Sequence, residues 1–192
     1  MIIETKRSKV IFGEACWKTL NEWVAKNTYS KIFVLTDSNT QTHCLSHFKG
    51  KTSFDHTLLT MPAGEENKHI HTCVSLWEDL STLGADRKSL LFNLGGGVVT
   101  DLGGFIACTF KRGIDFINIP TSLLAMVDAS VGGKTGIDLG PLKNQVGVIE
   151  EPEMVLVDTD FLVTLSENEY RSGYAEMLKH GLIQEPDYFK TL

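Results

Sequence analysis

No apolar run among these 192 residues approaches the roughly 20 that a membrane-crossing helix needs, so the chain offers no candidate span. The opening stretch MIIETKRSKVIFG has no apolar segment behind its charges, and no secretory signal is expected there. Basic charge is in deficit: 18 Lys and Arg stand against 24 Asp and Glu, a formal charge of −6, which argues against nucleic acid as the main partner. Cys16, Cys44, Cys73 and Cys108 are scattered without a CxxC pair, excluding a zinc ribbon or a redox motif. They read as reduced cytosolic thiols rather than a disulfide framework. There is no internal repeat, and 42% hydrophobic with 22% charged residues excludes disorder. A complete P-loop is also missing. In VDASVGGKTG, residues 127–136, Asp128 stands where the first glycine belongs, and an acid six residues before Lys134 would repel a triphosphate. An Asp and a Lys so spaced could instead grip a charged, polyhydroxylated molecule from two sides.

What is present is alternation. KIFVLTD (31–37), FDHTLLTMP (54–62), SLLFNLGGG (89–97), FINIP (116–120) and MVLVD (154–158) predict strands, several buried on both faces. Between them, Ile70, Val74, Trp77, Leu80 and Leu83 recur at helical spacing. This order predicts an α/β fold with a parallel sheet, ligands lying at the carboxyl ends of its strands, where the glycines cluster. IDLGPLKNQVG (137–147) reads as a functional or connecting loop. After Asp158 the pattern turns helical, with Ser166 and Glu169 spaced as a capping box. The expected division is an α/β domain over 1–158 and the opening of a helical domain over 159–192, part of a longer protein.

NLGGGVVTDLGGF follows a strand and enters a helix, the setting in which glycines admit a pyrophosphate to a helix N-terminus, although the third glycine of the dinucleotide fingerprint is replaced by Thr100. Asp101 could accept from ribose hydroxyls or simply favour the helix dipole. Asp37 ends a strand and could hold a ribose; it or Asn39 could equally cap the next helix. Thr121 and Ser122 could face a ligand or start a helix, and Glu65 and Lys68 alone read as a cap and a solvated charge. Arg112, Lys134, Lys143 and Lys179, with Asp128 and Asn144, could together receive a phosphorylated, carboxylated small molecule. Glu176 and His180 share one helix face at a metal-ligating spacing, but two ligands do not complete a catalytic zinc site. His43, His47, His56, His69 and His71 read as peripheral.

The segments GGGVVTDLGGFIACTFKRGIDFINIPTSLLAMVDASVGGKTGID, KN, VLVDTDFLVTL and GYAEMLKHGLI, in this order, resemble the 3-dehydroquinate synthases, from about Thr36 to Ile183. The resemblance implies a Rossmann-like NAD-binding domain followed by the start of an all-helical metal-binding domain. It also implies conversion of 3-deoxy-D-arabino-heptulosonate 7-phosphate to 3-dehydroquinate and phosphate in the shikimate pathway, with NAD reduced and reoxidised within each turnover. A catalytic zinc, for which cobalt can substitute, belongs to the same reading, as do a cytoplasmic homodimer and no nucleic-acid or membrane partner. Matched position by position, Asp37, Glu65, Lys68, Gly96, Gly97, Val98, Val99, Thr100, Asp101, Thr121, Ser122, Phe161, Leu162, Val163 and Thr164 fall in the NAD site. Asp128, Lys134, Asn144 and Lys179 match substrate contacts, with Lys134 and Lys143 serving the cofactor as well, and Arg112 matches a phosphate-binding position. Glu176 matches the first zinc ligand; the family draws two histidines from a C-terminal domain beyond this chain. Ser122 replaces a threonine, and Asp138, Leu139 and Gly140 replace an Asn-His-Pro stretch. Alternatives are another sugar-phosphate cyclase, a related metal-dependent polyol dehydrogenase, or a noncatalytic NAD-binding module.

Overall fold

The protein is described by a computed structural model covering residues 1–4, 7–13 and 15–192. Seven strands form one sheet: β1 (Ile2–Glu4), β2 (Lys9–Phe12), β3 (Ile32–Asp37), β4 (Thr57–Met61), β5 (Leu90–Gly95), β6 (Asp115–Pro120) and β9 (Met154–Val157), in the spatial order β1-β2-β9-β6-β5-β3-β4. Every pairing is parallel except the edge pair β1–β2. Five strands are legible in the sequence because both faces of a parallel sheet are covered, leaving uninterrupted apolar runs such as the wholly buried β5. β1 and β2 carry no such run and are additions to the expected set.

Successive side chains of β3 and β5 point to opposite faces. Val34, Leu90 and Phe92 meet α1 (Ala15–Lys26) and α3 (Leu45–Lys51) through Trp17, Leu20 and Phe48; Phe33, Leu35 and Leu91 meet α4 (Ile70–Thr82) and α5 (Gly97–Thr109) through Cys73, Leu80 and Leu102. The buried stripe of α4 differs from the expected one. Cys73, Leu76 and Leu80 face inward, whereas Ile70, Val74 and Leu83 are exposed. Two apolar stripes run side by side on this helix, and packing against β4 and α5 selects one of them.

β3 leads through α2 (Ser38–His43) and α3 on one face, while β5 leads into α5 on the other. Their carboxyl ends, Asp37 and Gly95, therefore flank the crevice where crossovers diverge. Residues 137–147 are not a loop: β7 (Lys134–Leu139) and β8 (Leu142–Ile149) form an antiparallel hairpin turning at Gly140 and Pro141. Its pattern is hidden because β8 is exposed along its whole length. Ile137 and neighbouring β7 residues provide most of its anchorage on α5. Beyond β9 lie a short 3₁₀ segment (Thr159–Thr164), α6 (Glu167–Gln184) and α7 (Pro186–Thr191). Ser166 caps α6 as expected, its Oγ accepting from Glu169 N at 3.3 Å. All four cysteines are free thiols, and among the described residues no helix is long and apolar enough to cross a membrane.

Candidate functional site

The turn Gly95–Gly97 carries the chain from β5 into α5, with Gly96 as N-cap in an extended conformation. The carbonyl of Gly95 accepts from Thr121 N at 3.0 Å, and a β-carbon on Gly96 would stand 3.3 Å from Ser122 Oγ. One on Gly97 would stand 3.3 Å from the β-carbon of Ala129. The bare turn thus lies between the 121–122 and 128–129 segments and exposes the unpaired N–H groups of a helix start, which favour an anion. Val99, expected in the cofactor site, is fully buried, backbone included, and offers no exposed surface to a ligand.

Asp101, one turn into α5, faces a cleft of about 600 Å³ lined also by Asp128, Lys134, Asn144 and Gln145. Under it lies Lys68, 3% exposed, whose Nζ donates to Asp101 Oδ2 and to Asn144 Oδ1, both at 2.6 Å. The solvated role expected for Lys68 is corrected: the 3₁₀ turn Glu65–Asn67 and the cap of α4 by His69 carry the ammonium inward. Burial pushes the Asp101 carboxyl above its ordinary range, and Lys68 pulls it part of the way back. The same loop is tied to the hairpin at two further points, and the hairpin's two strands to each other at a third. Asp138 N donates to Lys68 O at 2.8 Å, Asp138 Oδ1 accepts from Asn144 N at 2.7 Å, and Lys143 Nζ lies 3.0 Å from Glu65 Oε1. The bond to Glu65 raises the Lys143 ammonium. Asp138, expected only as a departure in a loop, fixes Asn144, whose φ of 53° needs such support.

Asp128 lies in a single π-helical turn, Ala125–Ala129, a feature often found at functional sites. Ser122 Oγ accepts from Ala125 N at 3.3 Å, so the serine starts this segment. A buried ladder anchors its far end, Asn93 Nδ2 donating to Asn118 Oδ1 (2.9 Å) and Asn118 Nδ2 to Ser130 O (3.1 Å). Gly173 seats α6 against it, since a β-carbon there would come 2.5 Å from Leu124 N. That approach brings Glu176 and His180 to Asp128: one donor atom from each lies within 4.8 Å of the others. Glu176 binds Lys179 Nζ and lies 3.2 Å from His180 Nε2, and its bond raises the Lys179 ammonium.

A second depression, of about 220 Å³, collects Thr121, Phe161 and Thr164 with Asn39, Thr40, His43 and Cys44. Asp37 caps α2 in a capping box, Oδ1 accepting from Thr40 N at 2.7 Å. Phe161 is core, Leu162 half-buried and Val163 exposed. His47, expected to be peripheral, is partly buried at the root of this segment: its Nε2 donates to Asp158 Oδ2 at 2.8 Å, beside Trp17 Nε1 at 2.7 Å. No spacing in the sequence joins residues 111 and 141 positions apart. Burial alone would raise the Asp158 carboxyl, but the bonds from His47, Trp17 and the Asp160 backbone together hold it below the usual range. A carboxylate with a depressed folded value contributes stability above its unfolded value and loses it as pH falls through the folded one. Asp158→Asn is therefore expected to cost about 1–3 kcal/mol near pH 7. The cost should shrink as pH falls below the ordinary carboxylate value, as urea unfolding at neutral and acid pH would measure.

Arg112 does not join the cleft. It lies past the opposite end of α5, at φ 72°, in a depression with Cys108, Asp115, Glu150, Glu151 and Glu153. The expected phosphate contact is therefore separate from Asp128, Lys134 and Asn144 within this chain.

A family model described as "3-dehydroquinate synthase N-terminal" matches residues 58–172, more than half of the chain. The 3-dehydroquinate synthase of Parabacteroides distasonis is 45% identical over 185 residues, covering 96% of this chain and 52% of that protein. A structure of 2-deoxy-scyllo-inosose synthase complexed with carbaglucose-6-phosphate, NAD⁺ and Co²⁺ superposes with a TM-score of 0.82 at 28% identity, over 93% of this chain and 49% of that one. 2-epi-5-epi-valiolone synthase from Streptomyces hygroscopicus, with NAD⁺ and Zn²⁺ bound, gives 0.82 at 25% identity over 96% and 52%. The chain spans about half the length of the relatives it matches.

Proposed function

The chain belongs to the 3-dehydroquinate synthase family, and on that premise we propose that it supplies the NAD-binding part of an enzyme converting 3-deoxy-D-arabino-heptulosonate 7-phosphate to 3-dehydroquinate and phosphate. The carrying observation is the cleft between α5, the turn at Asp128 and the hairpin, lined by Asp101, Asp128, Lys134 and Asn144, with buried Lys68 bonded to Asp101 and Asn144. In this reading residues 1–158 are the cofactor domain and 159–192 open a helical domain. NAD would supply a reversible hydride acceptor and zinc a Lewis acid at the hydroxyl to be oxidised, which together acidify the neighbouring C–H and allow phosphate to leave.

The chain's own residues divide the work by chemistry. The turn at Gly96 and Gly97 and the first amides of α5 suit the cofactor's diphosphate, with Asp101 and Asp37 as acceptors for ribose hydroxyls. Thr121, Ser122 and the 161–164 backbone border the same route. Lys134 and Lys179 can hold the sugar's anionic groups, Lys143 serves at the rim, and Asp128 accepts from its hydroxyls. Two carboxylates and an imidazole, from Asp128, Glu176 and His180, form a donor set that suits zinc or cobalt, with Glu176 the ligand this chain would contribute. Arg112 lies on a separate surface, outside this cleft. The lyase class, a cytoplasmic setting and assembly as a homodimer rest on the family likeness alone.

The test is NAD binding by calorimetry, followed by phosphate release from three sugars with NAD and zinc present. Release from the heptulosonate phosphate without net NADH supports the proposal. Preference for sedoheptulose 7-phosphate or glucose 6-phosphate would assign another cyclase, a reading favoured by the likeness to a synthase crystallised with carbaglucose-6-phosphate. Binding of NAD with no release from any sugar would leave a noncatalytic module, and NADH accumulating with glycerol a dehydrogenase.

A further inference from the structure

Lys68 sits between the two halves of the cleft and touches both. Its ammonium is almost wholly buried, a costly position that is tolerated only where hydrogen bonds and an opposite charge replace water. Asp101 supplies the charge from the first turns of α5, and Asn144 supplies a neutral oxygen from the hairpin, each at 2.6 Å. An ammonium can only donate. The oxygen of the Asn144 amide must therefore face Lys68, and its NH₂ is left as the end presented to the cleft that Asn144 lines. The backbone of Asn144 has no freedom to undo this, held at φ 53° by the bond from its N–H to Asp138 Oδ1, while Asp138 is itself bonded to the carbonyl of Lys68.

Resting on the function proposed above, we propose that Lys68 is a positioning residue shared by cofactor and sugar phosphate: it holds Asp101 in place for the cofactor and orients Asn144 so that its NH₂ donates to an oxygen of the sugar phosphate. Lys68 acts through these two side chains. A sugar oxygen that can accept is thereby favoured at this point of the cleft over a group that can only donate.

The experiment is a double-substitution cycle in the protein as the cell makes it, with NAD affinity from calorimetry and KM and kcat for the heptulosonate phosphate. Lys68→Met keeps the length and removes every donor. It is expected to weaken NAD binding and raise the sugar-phosphate KM, each about tenfold or more, the scale of a lost charged hydrogen bond, while kcat falls less. Asn144→Gly removes the amide and accommodates the positive φ; it should raise KM and leave NAD binding nearly unchanged. In the Asn144→Gly background, Lys68→Met should then raise KM by no more than about twofold, because the side chain through which it acts is gone. Additive effects on KM would overturn the proposal, as would a Lys68→Met protein with a lower melting temperature but unchanged NAD affinity and KM. Should that variant fail to fold, the same cycle run with Lys68→Gln, which removes the ammonium but keeps a polar side chain, keeps the test, with non-additivity in KM again expected and additivity again fatal. If the unsubstituted protein neither binds NAD nor releases phosphate, the functional reading fails first, and the two failures are distinguishable.

Discussion

Gly103→Val is expected to destabilise the protein by roughly 3 kcal/mol or more, while Gly50→Ala should be neutral or slightly stabilising. Gly103 lies in α5 directly under the sheet, where a β-carbon would overlap the side-chain amide of Asn93 and come 3.0 Å from Leu35 Cδ2. Neither neighbour can yield cheaply. Leu35 is fully packed on β3, and Asn93 is the first rung of the ladder through Asn118 to Ser130. Moving Asn93 breaks a buried hydrogen bond and strands its partner, a cost of about 1–3 kcal/mol beyond the steric one. Gly50, on α3, is exposed, and a β-carbon there would meet nothing within 4 Å, so only the removal of glycine's excess backbone freedom counts. Urea unfolding of both variants checks the pair. Equal stabilities would mean that the helix and sheet separate readily at Gly103. Because the ladder ends on the turn holding Asp128, the Gly103 variant should also lose function ahead of global unfolding.

The same contrast explains what is legible in the sequence. β3, β5, β6 and β9 announce themselves because burial on both faces leaves few polar positions, and the glycines that end β5 and open α5 mark the crevice by the geometry of parallel sheets. The hairpin 134–149 is the opposite case. β8 has no buried side chain, so no alternation records it, and glycine and proline at its turn imitate a loop. Lys68 reads as a surface charge because nothing local says that Asp101 and Asn144, 33 and 76 residues away, will surround it. His47 escapes notice for the same reason. Its carboxylate partner, Asp158, lies at the end of a distant strand, and only the parallel order β2-β9-β6 brings the two together. Local pattern thus records burial and caps, whereas polar pairing across crossovers becomes visible only once the topology is known. The family likeness reaches Lys68, Asp101 and Asn144 by matching residues and leaves their mutual contact unstated.

Glu176→Gln is expected to abolish most phosphate release, by about 10³-fold, equivalent to roughly 4 kcal/mol of transition-state stabilisation, with NAD affinity changed less than about threefold. Its side chain is largely covered, with Lys179 and His180 on one side and Asp128 on the other. Glutamine preserves the volume and one acceptor oxygen, so α6 should remain seated by Gly173 against Leu124. What disappears is the negative charge, and a neutral amide is a far weaker partner for a divalent cation than a carboxylate. The ammonium of Lys179, now raised by the carboxylate, would lose that support and shift back toward its ordinary value. Zinc content after dialysis, read by emission spectroscopy alongside activity, separates the causes. Loss of both points to Glu176 as a metal ligand, and loss of activity with zinc retained points to the charge acting on Lys179 and Asp128 instead. Retention of both would remove α6 from the active centre and leave the cleft between Asp101 and Lys134 as the sole seat of function. The cofactor half, built on α5 and the 121–122 segment, shares no side chain with this cluster, which is why its affinity should be nearly unmoved in every case.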